Sequence, residues 1–306
     1  MAAIEASPTI RRFELDYAQL RTRARRVQIV STLVFAIVFF LTARMGGFFD
    51  MTDVTLASGE RVSMWKIWAG VPRLGEYLEK TLPVLRWESL GADLAEWFWR
   101  WQTWLRLLLE TVLIAYMATL FGVVGAFVLS FPASRNLSPN RFVLNLTRRY
   151  LEIIRTVPEL VWALIFVFCF GVGPMAGVLA IGLHATGSLG KLYSEANENI
   201  DMRPVEGVKA AGGNWFQQIR YGVVPQVIPN IISYTLLRFE INVRASSIIG
   251  FVGAGGLGQE IRTAMSLQEY TDLSALFVII FATVILIDFL SEKLRHRIIG
   301  ITGKGV

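Results

Sequence analysis

The sequence predicts an all-α membrane protein with six transmembrane helices. Hydrophobic residues make up 54% of its 306 residues, and the mean hydropathy of +0.49 lies on the membrane-protein side of the usual balance. Six apolar segments of roughly spanning length interrupt the polar sequence. Basic residues gather at alternate ends of these segments, which is typical of a multi-pass protein.

The amino-terminal region is a polar segment followed by a first apolar run. Residues 1–26 contain six arginines and are predicted to form a cytoplasmic tail. Residues 27–43 carry no charge and, at about 1.5 Å per residue, reach about 26 Å as a helix. We expect a transmembrane helix here rather than a cleaved signal peptide, because the charged leader is too long and no small-x-small site follows.

Residues 44–104 form a connection on the outer side that holds seven of the nine tryptophans. Trp97, Trp101 and Trp104 have the spacing of one helical face, and tryptophan favours the headgroup layer of a bilayer. The pattern predicts an interfacial helix. A docking surface for a partner is the alternative.

The membrane core is expected within residues 105–297. Five apolar segments there are predicted to be the remaining transmembrane helices: 107–131, 157–172, 174–189, 227–249 and 273–290. A Gly-Val-Gly-Pro turn joins the third and fourth spans into a tight outer hairpin. Residues 298–306 are expected to be a second cytoplasmic tail, and the chain shows no internal repeat, so we expect one domain.

The distribution of Lys and Arg tests this topology. The proposed inner segments hold 19 of them and the outer segments hold eight, seven of which lie in the long outer connection. The positive-inside rule is weakest for long loops, so the seven basic residues in the long outer connection count little against this topology. The remaining excess of Lys and Arg on the inner side agrees with both termini in the cytoplasm. The net charge of +6 therefore reflects orientation, and nucleic acid is not an expected partner.

The polar segment between the fourth and fifth spans, residues 204–225, has internal order. Pro204 suits a first helical turn, and Glu206 faces the positive end of the helix dipole. Gly212 and the glycine after it stop this helix, and Asn214 caps a second one. The sequence predicts two short cytoplasmic helices joined by a glycine hinge. A solvated amphipathic loop is the alternative.

This segment resembles the EAA motif of bacterial ABC importer permeases. Glu206, Gly212 and Val224-Pro225 occupy its positions, while Gly207 and Val208 replace its two alanines. That departure, together with SEANENID, RYGVVPQVIPN and GFVGAGGLG, resembles the phosphonate-type branch, and the likeness covers about residues 26–297. The resemblance implies the type I permease fold in a bacterial inner membrane, with residues 204–221 as the coupling helix.

The resemblance also implies a function and partners. The chain would be a permease, not an enzyme, that translocates phosphonate, phosphite or phosphate by alternating access. It would act as a homodimer with two ATPase subunits, which bind ATP and Mg, and with an extracytoplasmic binding protein. The residues expected to couple transport to the ATPase are Arg203, Glu206, Gly207, Lys209 and Gly212.

Four polar residues interrupt the fifth apolar segment: Arg238, Glu240, Asn242 and Arg244. Charge within a span is costly unless it is paired or faces water. Glu240 and Arg244 can pair at i, i+4, while Arg238 and Asn242 lie on another stripe. We expect the four to line the translocation path, where arginine suits a phosphorus oxyanion. A purely structural role, locking a dimer or a helix break, is the alternative.

Other chemistries have little support. Residues Gly253 to Gly258 match the residue pattern of a dinucleotide-binding fingerprint, but that motif follows a β-strand, whereas a membrane span precedes it here. We therefore expect an irregular packed turn. One cysteine and two histidines do not suggest a metal site, and no catalytic nucleophile with its base is apparent. We expect His184 to be a packed or hydrogen-bonded core residue, and Glu159 and Asp288 to be interfacial. An ion-coupled secondary transporter of small anions remains the alternative function.

Overall fold

The computed structural model describes residues 8–55 and 61–302. Contacts divide the chain into two compact units, Met1–Lys80 and Thr81–Val306. The described part is almost entirely helical, as the sequence predicts. One two-stranded antiparallel sheet, β1 (Met51–Thr55) with β2 (Arg61–Trp65), departs from the all-α expectation within the described ranges.

The first unit contains a helix that is longer than the predicted first span. α1 (Pro8–Met45) runs without interruption through the predicted boundary at residue 27, because the polar residues before it are compatible with a helix. It ends where Gly47 adopts a left-handed φ of +71°. The β1–β2 hairpin follows, with Met51 opposite Trp65, and then α2 (Lys66–Thr81).

The second unit is a helical assembly centred on α7, which packs against α4, α5, α6 and α10. Its helices in chain order are α3 (Leu90–Trp97), α4 (Trp101–Ala133), α5 (Arg141–Thr156), α6 (Glu159–Phe170), α7 (Pro174–Glu198), α8 (Arg203–Ala210), α9 (Trp215–Gln217), α10 (Val224–Ile249), α11 (Leu257–Leu267) and α12 (Tyr270–Thr302). A π-helical turn (Gln218–Val223) joins α9 to α10, and a 3-10 turn (Gly250–Val252) follows α10.

Small residues bring α4 and α7 into close contact. A Cβ added at Gly122 would lie 2.6 Å from the Cβ of Ala185, and one added at Gly182 would lie 2.6 Å from the Phe121 ring. Glycine therefore permits the two helix backbones to approach, as is common in membrane proteins.

Three described helical segments are long and apolar enough to cross a membrane: Arg21–Met45, Trp101–Ala133 and Tyr270–Arg297. α7 and α10, with 25 and 26 residues, reach nearly 40 Å at about 1.5 Å per residue but are more polar. The number of six spans therefore stays a prediction.

The predicted third span, residues 157–172, differs in form. Its helix, α6, has only 12 residues, about 18 Å, which is too short to cross a bilayer alone. Pro158 precedes it, and α5 meets it at an angle of 86°. The arginine-rich segment before it is the amphipathic helix α5, and the two helices together are long enough for one broken span.

The prediction that Trp97, Trp101 and Trp104 share one helical face is wrong, while the position of a helix at the membrane interface stays a prediction. The chain turns between Trp97 and Trp101, so the three residues do not share one helix. Trp104 is fully buried in a cluster with Leu257 and Leu276, and the Trp97 indole Nε1 donates to Ser274 Oγ at 3.0 Å. These indoles hold α3 and the start of α4 against α11 and α12, while Trp101 remains half exposed.

The glycine-rich turn between α10 and α11 is irregular and packed, as predicted. Gly255 and Gly256 adopt left-handed φ angles of +91° and +71°. The Gly256 N–H donates to Glu110 Oε1 at 3.2 Å, and the Leu257 N–H donates to Thr111 Oγ1 at 2.8 Å. Side chains of α4 thus satisfy the backbone of this turn.

Candidate functional site

The segment between α7 and α10 has the predicted first short helix and glycine hinge, but the second predicted helix is not separate, because it continues into α10. α8 starts at Arg203 with proline in its first turn, and Gly212 adopts a φ of +80° after the helix ends. Asn214 Oδ1 accepts from the Gln217 N–H at 3.0 Å, and Gln217 Oε1 accepts from the Asn214 N–H at 2.8 Å. This capping box begins α9, which continues through the π-helical turn into α10. We name residues 203–223 the coupling element.

One face of the coupling element is anchored in the protein. Val205 is 4% exposed and packs with Leu137, Ile219 and Val223. A Cβ added at Gly222 would lie 2.8 Å from the Val205 Cα, so glycine is needed for this approach. The Trp215 Nε1 donates to the Leu137 carbonyl at 2.8 Å. The element is therefore tied to the chain that follows α4.

The other face is exposed and carries the predicted coupling residues, which are Arg203, Glu206, Gly207, Lys209 and Gly212. A Cβ added at Gly207 would meet no atom within 4 Å. Phe216 and Tyr221, which the sequence reasoning missed, are 74% and 63% exposed beside them. The available sequence signal was the presence of two aromatic residues in the polar segment that follows Asn214. The surface combines charge of both signs with two aromatic rings.

The four polar residues of α10 divide between two environments, as their spacing predicts. Arg244 Nη2 donates to Glu240 Oε1 at 2.6 Å, which confirms the predicted pair, and Arg295 Nη2 lies 3.8 Å from Glu240 Oε2. Asn242 is fully buried, and its Nδ2 donates to Thr119 Oγ1 at 2.9 Å. Asn242 therefore contacts α4 in this conformation rather than lining an open path.

Arg238 belongs to a cluster that the sequence reasoning did not assemble. Its Nη2 lies 2.7 Å from His184 Nδ1 and 3.7 Å from Glu159 Oε2. His184 Nδ1 lies 3.4 Å from the same carboxylate oxygen, and His184 Nε2 lies 3.1 Å from the Arg155 carbonyl. We name Glu159, His184 and Arg238 the charge cluster. A charged residue directly after Pro158, at the start of an apolar run, was the signal that could have found it.

Neither site has the composition of a metal centre. Within the described ranges, no group of three or more His, Cys, Asp or Glu side chains is placed to hold a metal ion. The charge cluster contains a single histidine and a single carboxylate, and its arginine would repel a cation.

The sequence matches a known family over most of the second unit. Residues 118–298 match the model of the binding-protein-dependent transport system inner membrane component. The match includes both the coupling element and the charge cluster.

Two relatives extend this likeness. The chain is 39% identical over 217 residues to the phosphite transport system permease protein PtxC of Stutzerimonas stutzeri, covering 71% of this chain and 78% of the relative. It is 49% identical over 122 residues to the putative cryptic phosphonate transport system permease protein PhnE2 of Escherichia coli strain K12, covering 40% of this chain and all of the relative.

A solved structure supports the fold. The chain resembles a chain of the inward-facing MetNI methionine ABC transporter with a TM-score of 0.53 and 20% identity, covering 64% of this chain and 95% of that one. The expected type I permease fold is thereby confirmed, and the coupling element lies within the matched family region. The chain belongs to the binding-protein-dependent transport system inner membrane components, as a membrane-spanning, non-enzymatic permease subunit of an ABC importer.

Proposed function

We propose that this permease carries phosphonate or a related phosphorus oxyanion, such as phosphite or phosphate, into the bacterial cytoplasm by alternating access. Two relatives are described by their names as phosphite and phosphonate permeases. α10 carries two arginines, and the planar guanidinium group matches the oxygens of such oxyanions. Family membership favours an ATP-driven importer over the ion-coupled secondary transporter.

The exposed face of the coupling element is the observation that carries the mechanism. Glu206 and Lys209 present charge to the solvent while Val205, on the same helix, is buried in the permease. A push on the exposed face would therefore reach α4 and α10 through the buried one. We assign Glu206, Lys209 and Arg203 to electrostatic docking on the ATPase, and Gly207 and Gly212 to close approach.

The partners follow from this assignment. ATP and Mg would bind the ATPase subunits, of which two would dock on a homodimer of this chain. An extracytoplasmic binding protein would deliver the oxyanion. Both termini of the permease would then be cytoplasmic, on the side of the coupling element.

On the translocation path, we assign Arg238 and Arg244 to contact with the oxyanion. Glu240 would hold the Arg244 guanidinium, with which it pairs at 2.6 Å. Asn242 would fix the position of α10 through its hydrogen bond to Thr119. Closing and opening of the helices around α10 would then expose the arginines to each side in turn.

The test is transport by the complete complex in proteoliposomes. We expect uptake of radiolabelled phosphite or phosphonate that requires ATP and does not respond to an ion gradient alone. Uptake on an ion gradient without the ATPase would contradict the proposal.

Glu206→Ala tests the coupling element. The side chain is exposed, so the variant should insert normally but bind the ATPase about tenfold more weakly, which corresponds to about 1.4 kcal/mol. Co-purification of the ATPase at increasing salt measures this. Glu269→Ala, at an exposed carboxylate between α11 and α12, is the control and should retain the ATPase. Equal retention by both variants would argue against docking through Glu206.

A further inference from the structure

The hydrogen bonds of the charge cluster define the protonation of His184. The Arg155 carbonyl can only accept, so His184 Nε2, 3.1 Å away, carries the hydrogen and donates to it. His184 Nδ1 then has a lone pair, which accepts from Arg238 Nη2 at 2.7 Å. The imidazole is neutral, and the cluster contains one cation, Arg238, and one anion, Glu159.

The cluster is not fully satisfied. Arg238 Nε and Glu159 Oε2 are buried and have no hydrogen-bond partner among the described residues. The Glu159 carboxylate lies 3.7 Å from the nearest guanidinium nitrogen, which is beyond hydrogen-bond distance. Unpartnered charged groups are costly in the interior, so a purely structural ion pair would be expected to close this gap.

The cluster lies where a transport path is expected. Glu159 begins α6 at the 86° break after α5. Irregular backbone at membrane depth occurs where it is enclosed by protein or lines a cavity, and discontinuous helices often form substrate sites in transporters. The side chains are 11% exposed for Arg238, 18% for His184 and 29% for Glu159, so the cluster opens to its surroundings on the Glu159 side.

We propose that the charge cluster is an oxyanion-binding site on the transport path, and that Glu159 is its internal counter-ion. An arriving oxyanion takes the place of the Glu159 carboxylate at Arg238 and accepts from both Nη2 and the unpartnered Nε. The carboxylate returns to Arg238 as the oxyanion leaves, which speeds release into the cytoplasm. His184 is a positioning residue that holds the guanidinium in reach. The inference rests on the proposed function, because it assumes a phosphorus oxyanion as cargo.

Direct binding tests the counter-ion role. The permease–ATPase complex in nanodiscs, without the binding protein, is titrated with radiolabelled phosphite. Glu159→Gln keeps the size of the side chain but removes the competing charge, so phosphite should bind at least tenfold more tightly. In proteoliposomes with the binding protein, the same variant should show a lower maximal transport rate, because release is slowed.

Matched variants separate this role from a general effect of charge. Glu152 and Arg149 form an ion pair at 2.6 Å on α5, with exposed side chains, and Glu152→Gln and Arg149→Gln should leave phosphite binding unchanged. Arg238→Gln should abolish binding. If that variant does not insert, Arg238→Lys keeps the charge but loses the planar fork of two donor nitrogens, and should bind phosphite at least tenfold more weakly than the wild type.

The outcomes distinguish the two proposals. Wild-type transport of phosphite together with unchanged or weaker binding by Glu159→Gln would overturn the counter-ion assignment alone. Unchanged binding by Arg238→Lys would overturn the site itself. A wild-type complex that transports none of phosphite, phosphonate and phosphate would remove the proposed function, and this inference with it.

Discussion

The indole of Trp104 is enclosed between the start of α4 and the helices α11 and α12. It packs with Leu257, Ala264 and Leu276, while Trp101, three residues earlier, is 52% exposed. Two residues of one type near the same helix end thus have opposite roles. Trp104 contributes to tertiary packing, and Trp101 is available to lipid or water.

This difference predicts unequal effects of truncation. Trp104→Ala should lower the free energy of unfolding by about 3–5 kcal/mol, because it empties a fully enclosed site, whereas Trp101→Ala should change it little. Thermal unfolding of the detergent-solubilised protein measures both. Equal stability of the two variants would show that the enclosed indole does not hold these helices together.

Single residues also show where sequence reasoning is limited. The pairing of Glu240 with Arg244 could be predicted, because both residues lie on one helix and its period fixes their separation. The charge cluster could not, because Glu159, His184 and Arg238 come from three helices whose mutual packing is not encoded in any local pattern. The role of Trp104 was misjudged for the same reason.

At the scale of one element, α8 has one side that packs against the protein and another side that is exposed. Val205 faces the core and contacts Gly222, whereas Gly207 faces open space. The helix has only eight residues and is not stable alone, so its position depends on the buried face.

Alanine at the two glycines tests this separation. Gly222→Ala should destabilise the coupling element by about 1–3 kcal/mol, because its Cβ would lie 2.8 Å from the Val205 backbone. Gly207→Ala should leave it intact, because no atom lies within 4 Å of the added Cβ. Limited proteolysis near Gly212 reports the loosening. If cleavage is faster in the Gly207→Ala variant, or is no faster in the Gly222→Ala variant than in the wild type, the packing of Gly222 against Val205 is contradicted.

The ends of helices could be predicted where a nearby proline, glycine or capping residue marks them. Pro204, Gly212 and Asn214 define the start, the stop and the next cap of the coupling element, and the structure agrees. The hairpin β1–β2 and the break between α5 and α6 were missed. The hairpin lies in a segment whose strongest pattern is its tryptophans, and the angle between α5 and α6 depends on packing that no local pattern around Pro158 encodes.

At the scale of the whole molecule, the apolar segments and the basic ends predicted a multi-pass membrane protein, and the resemblance of residues 204–225 to the EAA motif implied a permease. The family match and the fold agree with that prediction. The number of spans stays a prediction, because α7 and α10 are long enough to cross a bilayer but carry polar side chains that pack inside the protein.

Orientation can be tested with single cysteines. Cys169, the one native cysteine, is exposed and is first replaced by serine. In intact spheroplasts, a membrane-impermeant maleimide should label Glu269→Cys but not Lys209→Cys, because the coupling element is proposed to be cytoplasmic. Lys209→Cys should react only after permeabilisation. Labelling of Lys209→Cys in intact spheroplasts would reverse the topology.

The open surface around Gly207 has a consequence for how such transporters diverge. Because that position makes no contact inside the permease, its side chain can vary without affecting whether the chain folds. If α8 docks on the ATPase as proposed, residues on its exposed side can change to fit another ATPase while its buried side keeps the same packing. Very few substitutions on this exposed side would then be needed for the permease to bind the ATPase subunit of another transporter.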